Sequence, residues 1–225
     1  MEHCNIDITP AEPKLQLSKN EHEKDVNLTR YQRLIGSLRY LCNTRPNLDF
    51  SVEIMSKFME ILKMSHFVAV KRILRYIKGS IGCGILFPTT DKGIKYNLFS
   101  YTHSNWCKNK DDRKSTDEYI FMFRETPISW FSKKKSVVAL SSCEAEYIAT
   151  SLCAWQAVRL MNLLKELFSE DGEIVMLMVD NVSAINLAKN PITHERNKYI
   201  KMRLHYFREL ISEGRLRLAY YRNED

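Results

Sequence analysis

A nearly continuous apolar run over residues 173–179 constrains the fold of this chain more than any other stretch. Strands that are buried on both faces lack the polar alternation of half-exposed strands, so this run predicts an inner strand of an α/β sheet. Asp180 follows directly, at the C-terminal end of the predicted strand, where open α/β sheets collect their ligands. The run therefore predicts a layered α/β domain with a candidate site residue at position 180.

The segments around this strand predict the rest of the domain. Short β-rich or aromatic runs over 95–102, 118–123 and 128–132 predict an antiparallel three-stranded meander. Ser141 and Glu144 form a capping-box pair that opens a long helix. We expect that helix to carry five large apolar side chains toward the core: Ile148, Leu152, Trp155, Leu160 and Leu163. Helices over 183–188 and 198–212 and an alternating strand over 215–221 complete the order β-β-β-α-β-α-α-β.

The first part of the chain has a different character. Residues 1–30 are polar and predict a flexible arm, and apolar spacing then predicts helices over 31–41, 52–62 and 65–78. A change from helical to strand-like periodicity near 86–93 places a domain boundary there. We therefore expect an arm (1–30), a helical region (31–90) and an α/β domain (91–225).

The third predicted helix carries a basic arc beside its apolar arc, which consists of Lys71, Arg72, Arg75 and Lys78. Such an arc is either a solvated face or a surface that faces phosphate groups. The net charge of +7 and the pI near 9.0 favour acidic partners, with nucleic acid first among them.

The cysteine pattern and the lack of long apolar segments narrow the classes of protein to which this chain can belong. The six cysteines contain no Cys-x-x-Cys pair and read as reduced thiols. The N-terminus has neither the basic region nor the apolar run of a signal peptide, and no segment reaches the length of a membrane span. By default we expect a protein of the cytoplasm or nucleus, without a membrane partner.

Several sequence blocks carry a family likeness when they are taken in order. They include Tyr31-Gln-Arg-Leu-Ile-Gly-Ser-Leu-Arg-Tyr-Leu, Phe99-Ser-Tyr-Thr-His-Ser-Asn-Trp, Asp111-Asp-Arg-Lys-Ser-Thr, Glu144-Ala-Glu-Tyr and Asp180-Asn-Val-Ser-Ala-Ile. With these blocks the chain closely resembles the C-terminal part of copia-type retrotransposon polyproteins, from the tail of the reverse transcriptase through the ribonuclease H domain. The resemblance implies a ribonuclease H-like mixed sheet, with three antiparallel strands, further parallel strands and helices on both faces, incomplete at the C-terminus.

The resemblance also implies a site and a chemistry. In that family, acidic residues hold two Mg²⁺ ions that cleave the RNA strand of an RNA–DNA hybrid. The first acid of the family motif falls on His103, its second Asp on Asn105, the central Glu on Glu146 and the next Asp on Asp180. The last acid would lie beyond Asp225. His194 and Lys198 match a family loop that either touches substrate phosphate or is a solvated basic loop.

These departures set the expected function. A histidine adds no negative charge and is a poor Mg²⁺ ligand, so we expect a catalytically inactive fragment that needs no cofactor and retains nucleic-acid binding. A weakly active RNA–DNA hybrid ribonuclease is an alternative, with Mg²⁺ at Glu146 and Asp180.

A second alternative comes from the tetrapeptide Arg72, Ile73, Leu74 and Arg75. It matches the RxLR pattern of secreted oomycete effectors. Further along the chain, Asp111-Asp-Arg113 weakly resembles the acidic element of those effectors. This resemblance implies secretion, delivery into a plant host cell, host proteins as partners and suppression of host defence.

Overall fold

The computed structural model describes residues 4–13, 17–19, 27–88, 97–107, 111–168, 174–190 and 198–222. Side chains are described for all of these residues except 198–201. Within these ranges the chain forms a group of three helices followed by a mixed sheet with three further helices.

The helical group consists of α1 (Leu28–Cys42), α2 (Pro46–Ser56) and α3 (Met64–Gly79). The side chain of Asn27 caps α1 by accepting a hydrogen bond from the backbone N–H of Arg30 at 3.1 Å. The three helices enclose a shared apolar core, to which the Tyr31 hydroxyl adds a buried hydrogen bond to the Met55 carbonyl at 2.7 Å. The predicted first and third helices are thus confirmed.

The second helix lies six residues earlier than the sequence pattern predicts, at 46–56 instead of 52–62. Proline commonly ends a helix, so the sequence pattern predicts no helix start at Pro46. In the structure Pro46 occupies the first turn of α2, where the missing N–H of proline has no cost. The apolar positions beyond Ser56, including Phe58 and Leu62, are buried without belonging to the helix.

The sheet contains β1 (Leu98–Asn105), β2 (Thr116–Phe123), β3 (Thr126–Lys134), β4 (Val175–Val179) and β5 (Leu216–Tyr220). Its strand order is β3-β2-β1-β4-β5. The first three strands form the predicted antiparallel meander, whereas β4 pairs in parallel with both β1 and β5. The apolar run that ends at Val179 therefore forms an inner parallel strand, as predicted.

Helices cover both faces of this sheet. Ser129 on β3 accepts a hydrogen bond from Gln156 of α4 (Ser142–Phe168), and its neighbour Trp130 donates to the Cys42 carbonyl of α1 at 2.7 Å. Because successive side chains of a strand point to opposite faces, α4 and the helical group lie on opposite sides. Two further helices, α5 (Val182–Lys189) and α6 (Lys198–Ser212), complete the mixed α/β fold.

The inward face of α4 differs in part from the predicted one. Ile148 and Leu160 are buried as expected, but Trp155 is 55% and Leu163 49% exposed. Small side chains occupy the buried positions between them, namely Cys153, Ala154 and Ala157. These residues allow the helix to approach the sheet closely, and Trp155 packs instead beside Tyr206 of α6.

Residues 4–13 of the predicted arm contain neither helix nor strand. They nevertheless lie along α3, and Asp7, Thr9 and Glu12 bond to its basic side chains. This part of the chain has specific partners, which its polar composition does not reveal. Among the described residues, none of the helices combines the length and apolarity needed to cross a bilayer.

Candidate active site

Neighbouring elements bring three predicted site residues to one end of the sheet. The parallel pairing of Thr102 with Val179 places His103 of β1 beside Asp180, which follows β4. Glu146 reaches the same point from the first turns of α4. One ligand atom from each of the three residues lies within 4.8 Å of the others. The structure therefore brings together the three positions that the sequence singled out.

The imidazole of His103 lies between the two carboxylates. Its Nδ1 is 2.9 Å from Oδ2 of Asp180 and 3.1 Å from Oε1 of Glu146. The His103 side chain is 37% exposed, whereas those of Glu146 and Asp180 are 5% and 16% exposed. The site is thus closed beneath the carboxylates and open on the histidine side.

Hydrogen bonds to Asp180 and Glu146 raise the pKa of His103 to about 10, against burial, which lowers it. Burial raises the pKa of Glu146, and the hydrogen bond from His103 opposes that shift. At neutral pH the favoured arrangement is an imidazolium between two acidic groups. The protonated His103 side chain therefore supplies a positive charge within the site.

The backbone beside the site fixes the orientation of Glu146. The N–H of Ser104 donates to its Oε1 at 2.5 Å, and that oxygen also faces His103. Its other oxygen, Oε2, is buried and has no hydrogen-bond partner among the described residues. Asn105, which the family resemblance aligns with a second Asp, likewise has a buried Oδ1 without a partner in the described part of the chain.

A buried ion pair lies next to these residues and has no counterpart in the sequence-based prediction. Lys135 Nζ is 2.9 Å from Oδ1 of Asp117, and the two side chains are only 6% and 4% exposed. Lys135 also donates to the Ala145 carbonyl at 2.7 Å, and the Ser104 hydroxyl donates to Asp117 at 2.8 Å. Through these contacts β1, β2 and α4 are held together beneath the site.

An open cavity of about 220 Å³ adjoins His103 on the face of the sheet toward α2. Aromatic side chains line much of it: Phe50, Tyr101, Tyr119, Trp130, Phe131 and Tyr221. Two acids, Asp49 and Glu118, complete the wall. Burial raises the pKa of Asp49 to about 6 and that of Glu118 to about 7.

The residues at the site do not fit a pair of Mg²⁺ ions. Mg²⁺ requires oxygen ligands in near-octahedral geometry, and the atom that lies between Glu146 and Asp180 is an imidazole nitrogen. Two carboxylates also cannot balance the charge of two dications. The geometry consequently supports no two-metal hydrolysis step.

The basic arc of α3 is engaged by the N-terminal segment instead of being open. Arg72 contacts Asp7 and Glu12 at 3.9 and 3.2 Å, Arg75 pairs with Asp7, and Lys78 donates to the Cys4 carbonyl. Lys71 lies over the ring of Phe67 at 4.8 Å from its centroid.

Two other predicted binding residues cannot be placed. His194 lies outside the described residues, and Lys198 begins α6 without a described side chain. Arg72, Ile73, Leu74 and Arg75 lie in the interior of α3, with Ile73 buried in the helical core. In this structure the tetrapeptide is part of a packed helix.

The fold is that of a ribonuclease H-like domain joined to a helical region, with His103, Glu146 and Asp180 together at one end of its sheet. The chain is 36% identical over 217 residues to the retrovirus-related Pol polyprotein from transposon RE1 of Arabidopsis thaliana, a match that covers 96% of this chain and 15% of that relative. It is 35% identical over 129 residues to the secreted RxLR effector protein 161 of Plasmopara viticola, covering 57% of this chain and 89% of that protein.

A solved structure of the foamy viral protease-reverse transcriptase in complex with double-stranded DNA shares the fold, with a TM-score of 0.55 at 12% identity. The match covers 92% of this chain and 34% of that one. No model of a known protein family matches the sequence.

The chain belongs to the retrovirus-related Pol polyproteins of copia-type transposons. It corresponds to a fragment of such a polyprotein with a ribonuclease H-like fold, and it spans about 15% of the length of the transposon relative from Arabidopsis.

Proposed function

We propose that this fragment binds nucleic acid, with an RNA–DNA hybrid as the preferred partner, and does not cleave it by the two-magnesium reaction. The observation that carries the proposal is the position of His103 Nδ1, within 3.1 Å of both Glu146 and Asp180. The imidazole takes the place of an acid and fills the space between the two that remain.

Charge balance supports the inactive state. A two-metal site stabilises the attacking and leaving oxygens with a pair of dications, and its acidic ligands together with the substrate phosphate offset their four positive charges. Here the described ligand set supplies two carboxylates, one of them with a pKa raised by burial. Glu146 and Asp180 keep their positions in the fold, but these two acids do not support the two-magnesium reaction.

The test is incubation of the purified chain with a labelled RNA–DNA hybrid in Mg²⁺ or Mn²⁺. We expect no more product than in a protein-free control. Cleavage by the native chain that disappears in Glu146→Gln would contradict the inactive assignment. Glu144→Gln is the matched control, because Glu144 lies on the same helix and its carboxylate accepts a hydrogen bond from the Leu140 N–H in the turn before that helix.

The binding surface that we propose includes the basic arc of Lys71, Arg72, Arg75 and Lys78. Each lysine or arginine that neutralises a phosphate releases counterions, so the affinity should fall steeply with salt. Replacing all four residues with Ala should weaken hybrid binding and flatten that salt dependence. Unchanged affinity and salt slope would remove the arc from the binding surface.

A secreted effector is the second candidate, because one relative carries that description. The match to the transposon polyprotein covers much more of this chain, and the RxLR-like tetrapeptide already has partners within the fold. The discriminating experiment follows a tagged chain in an infected plant. Delivery into host cells that Arg72→Ala with Arg75→Ala abolishes would favour the effector, and absence of delivery would exclude it.

A further inference from the structure

The residues of the site do not fit a pair of Mg²⁺ ions, and their chemistry suits a different metal ion. We propose that His103, Glu146 and Asp180 form a mononuclear site for a divalent transition-metal ion of the zinc class. The inference concerns metal binding alone and does not depend on whether the chain binds nucleic acid.

The ligand types select that class of ion. One imidazole nitrogen and two carboxylate oxygens suit zinc, cobalt and related ions, whereas an all-oxygen set suits magnesium. Once the ion has displaced the imidazole proton, the neutral His103 and the two carboxylates balance a single dication. A histidine instead of an acid at position 103 thus leaves too little negative charge for two Mg²⁺ ions. The same histidine supplies a nitrogen ligand that suits one softer ion such as Zn²⁺.

The distances match a single coordination sphere. Two ligand atoms that each lie about 2.1 Å from one ion, at tetrahedral to octahedral angles, are about 3.0 to 3.4 Å apart. The His103 Nδ1 atom is 2.9 Å from the Asp180 oxygen and 3.1 Å from the Glu146 oxygen. The Asp180 and Glu146 oxygens lie within 4.8 Å of each other, so one ion between the three atoms requires only small movements of the ligands.

A second, independent observation concerns Glu146. Its side chain is 95% buried, and its Oε2 has no hydrogen-bond partner among the described residues. Such an orphaned carboxylate oxygen is costly in a protein interior unless it gains a partner. A metal ion that this carboxylate binds through both oxygens would satisfy Oε2, and the Ser104 N–H already fixes the orientation of Oε1.

The site also has an access path. The exposed side of His103 opens toward solvent and borders the aromatic-lined cavity, which leaves room for an entering ion and for water as a further ligand. Zinc sites that keep an open position for water commonly have three protein ligands.

The test is titration of the full chain, stripped with a chelator, with Co²⁺ and then Zn²⁺ at neutral pH. We expect one equivalent of Co²⁺ to give the visible absorption of a nitrogen–oxygen ligand set, Zn²⁺ to displace it, and excess Mg²⁺ to leave it unchanged. His103→Ala and the shape-conserving Glu146→Gln should each weaken Co²⁺ binding about tenfold or more. His205→Ala, at an exposed position of α6, should bind as the native chain does.

Several results would overturn the site. They are the absence of Co²⁺ binding, equal binding by the native chain and both ligand variants, displacement by equimolar Mg²⁺, or thiolate charge-transfer absorption that assigns the ion to cysteines. Failure of this test leaves the absence of hybrid cleavage unaffected, because the two readouts share neither substrate nor ion.

Discussion

Single residues determine the charge of the site. His103 places one positive group against Glu146 and Asp180, and the backbone N–H of Ser104 fixes the orientation of Glu146. Beneath them, Lys135 and Asp117 form a second and more deeply buried ion pair. The upper group is accessible to ions and ligands, whereas the lower pair contributes to the fold.

The raised pKa of His103 predicts a pH dependence of stability. Folding raises it from 6.5 to about 10, so its contribution is fully present below pH 6.5 and is lost as the pH rises through 10. In the presence of a chelator, the free energy of unfolding from urea titrations should decline over this window. His103→Gln should show a shallower decline than the native chain and than His205→Gln, and three parallel curves would refute the assignment.

The buried ion pair predicts a strong effect of a single substitution. Lys135→Met removes the partner of Asp117 and leaves its charge uncompensated in the interior, which should cost about 3 kcal/mol of stability. Denaturant unfolding measures this loss, and adding Asp117→Asn should recover part of it. Lys133→Met, at an exposed neighbouring position, should stay within about 0.5 kcal/mol of the native chain. Equal losses of stability in Lys135→Met and Lys133→Met would show that the buried pair contributes no more than an exposed lysine does.

The sequence could reveal some of these residues and not others. His103, Glu146 and Asp180 come from short motifs at strand and helix ends, so family order alone predicts that they meet. The Lys135–Asp117 pair depends on the register of β2 and β3 and on the start of α4. No local pattern encodes that register.

At the scale of elements, local chemistry predicts regular segments better than their partners. Strand β4 and helix α3 follow from their apolar patterns almost residue by residue. The sequence pattern places α2 six residues too late because Pro46 can either end one helix or begin another. Only the packing of the two helices determines which of these roles Pro46 has. Trp155 was assigned to the core by size, although close packing favours the alanines beside it.

The segment 4–13 on α3 predicts that its acids compete with phosphate. Asp7→Asn with Glu12→Gln removes the carboxylates that contact Arg72 and Arg75, and hybrid affinity at low salt should rise about tenfold, with a steeper salt dependence. A mobility-shift titration at several salt concentrations measures both quantities. Glu60→Gln with Glu213→Gln makes the same change in net charge away from α3, and an equal gain there would assign the effect to overall charge.

At the scale of the whole molecule, the helical group and the sheet have separate apolar cores and polar contacts between them. Trp130 donates to the Cys42 carbonyl, Lys57 donates to Thr116, and Glu53 accepts from the backbone of Lys134. We propose that these parts are two domains which dock through a defined interface.

Docking can be tested with two coexpressed chains that cover residues 1–88 and 97–225. We expect them to copurify, because the contacts across the interface do not require a continuous backbone. Trp130→Phe keeps an aromatic side chain but removes the indole N–H that donates to Cys42, which should weaken the association by about 1 kcal/mol, or about fivefold. Tyr220→Phe, at an exposed position of β5, is the control. Chains that never associate would show that the docking depends on the covalent link.

The pocket that holds His103 retains its supporting contacts, and this has a genetic consequence. Histidine and asparagine codons each differ from an aspartate codon by a single base, so His103 and Asn105 both lie one point mutation from aspartate. An aspartate at position 103 would place a carboxylate beside Asp180 and beside Glu146, which the Ser104 N–H already orients. A single base change would therefore bring this site closer to the acidic ligand set that the family resemblance implies.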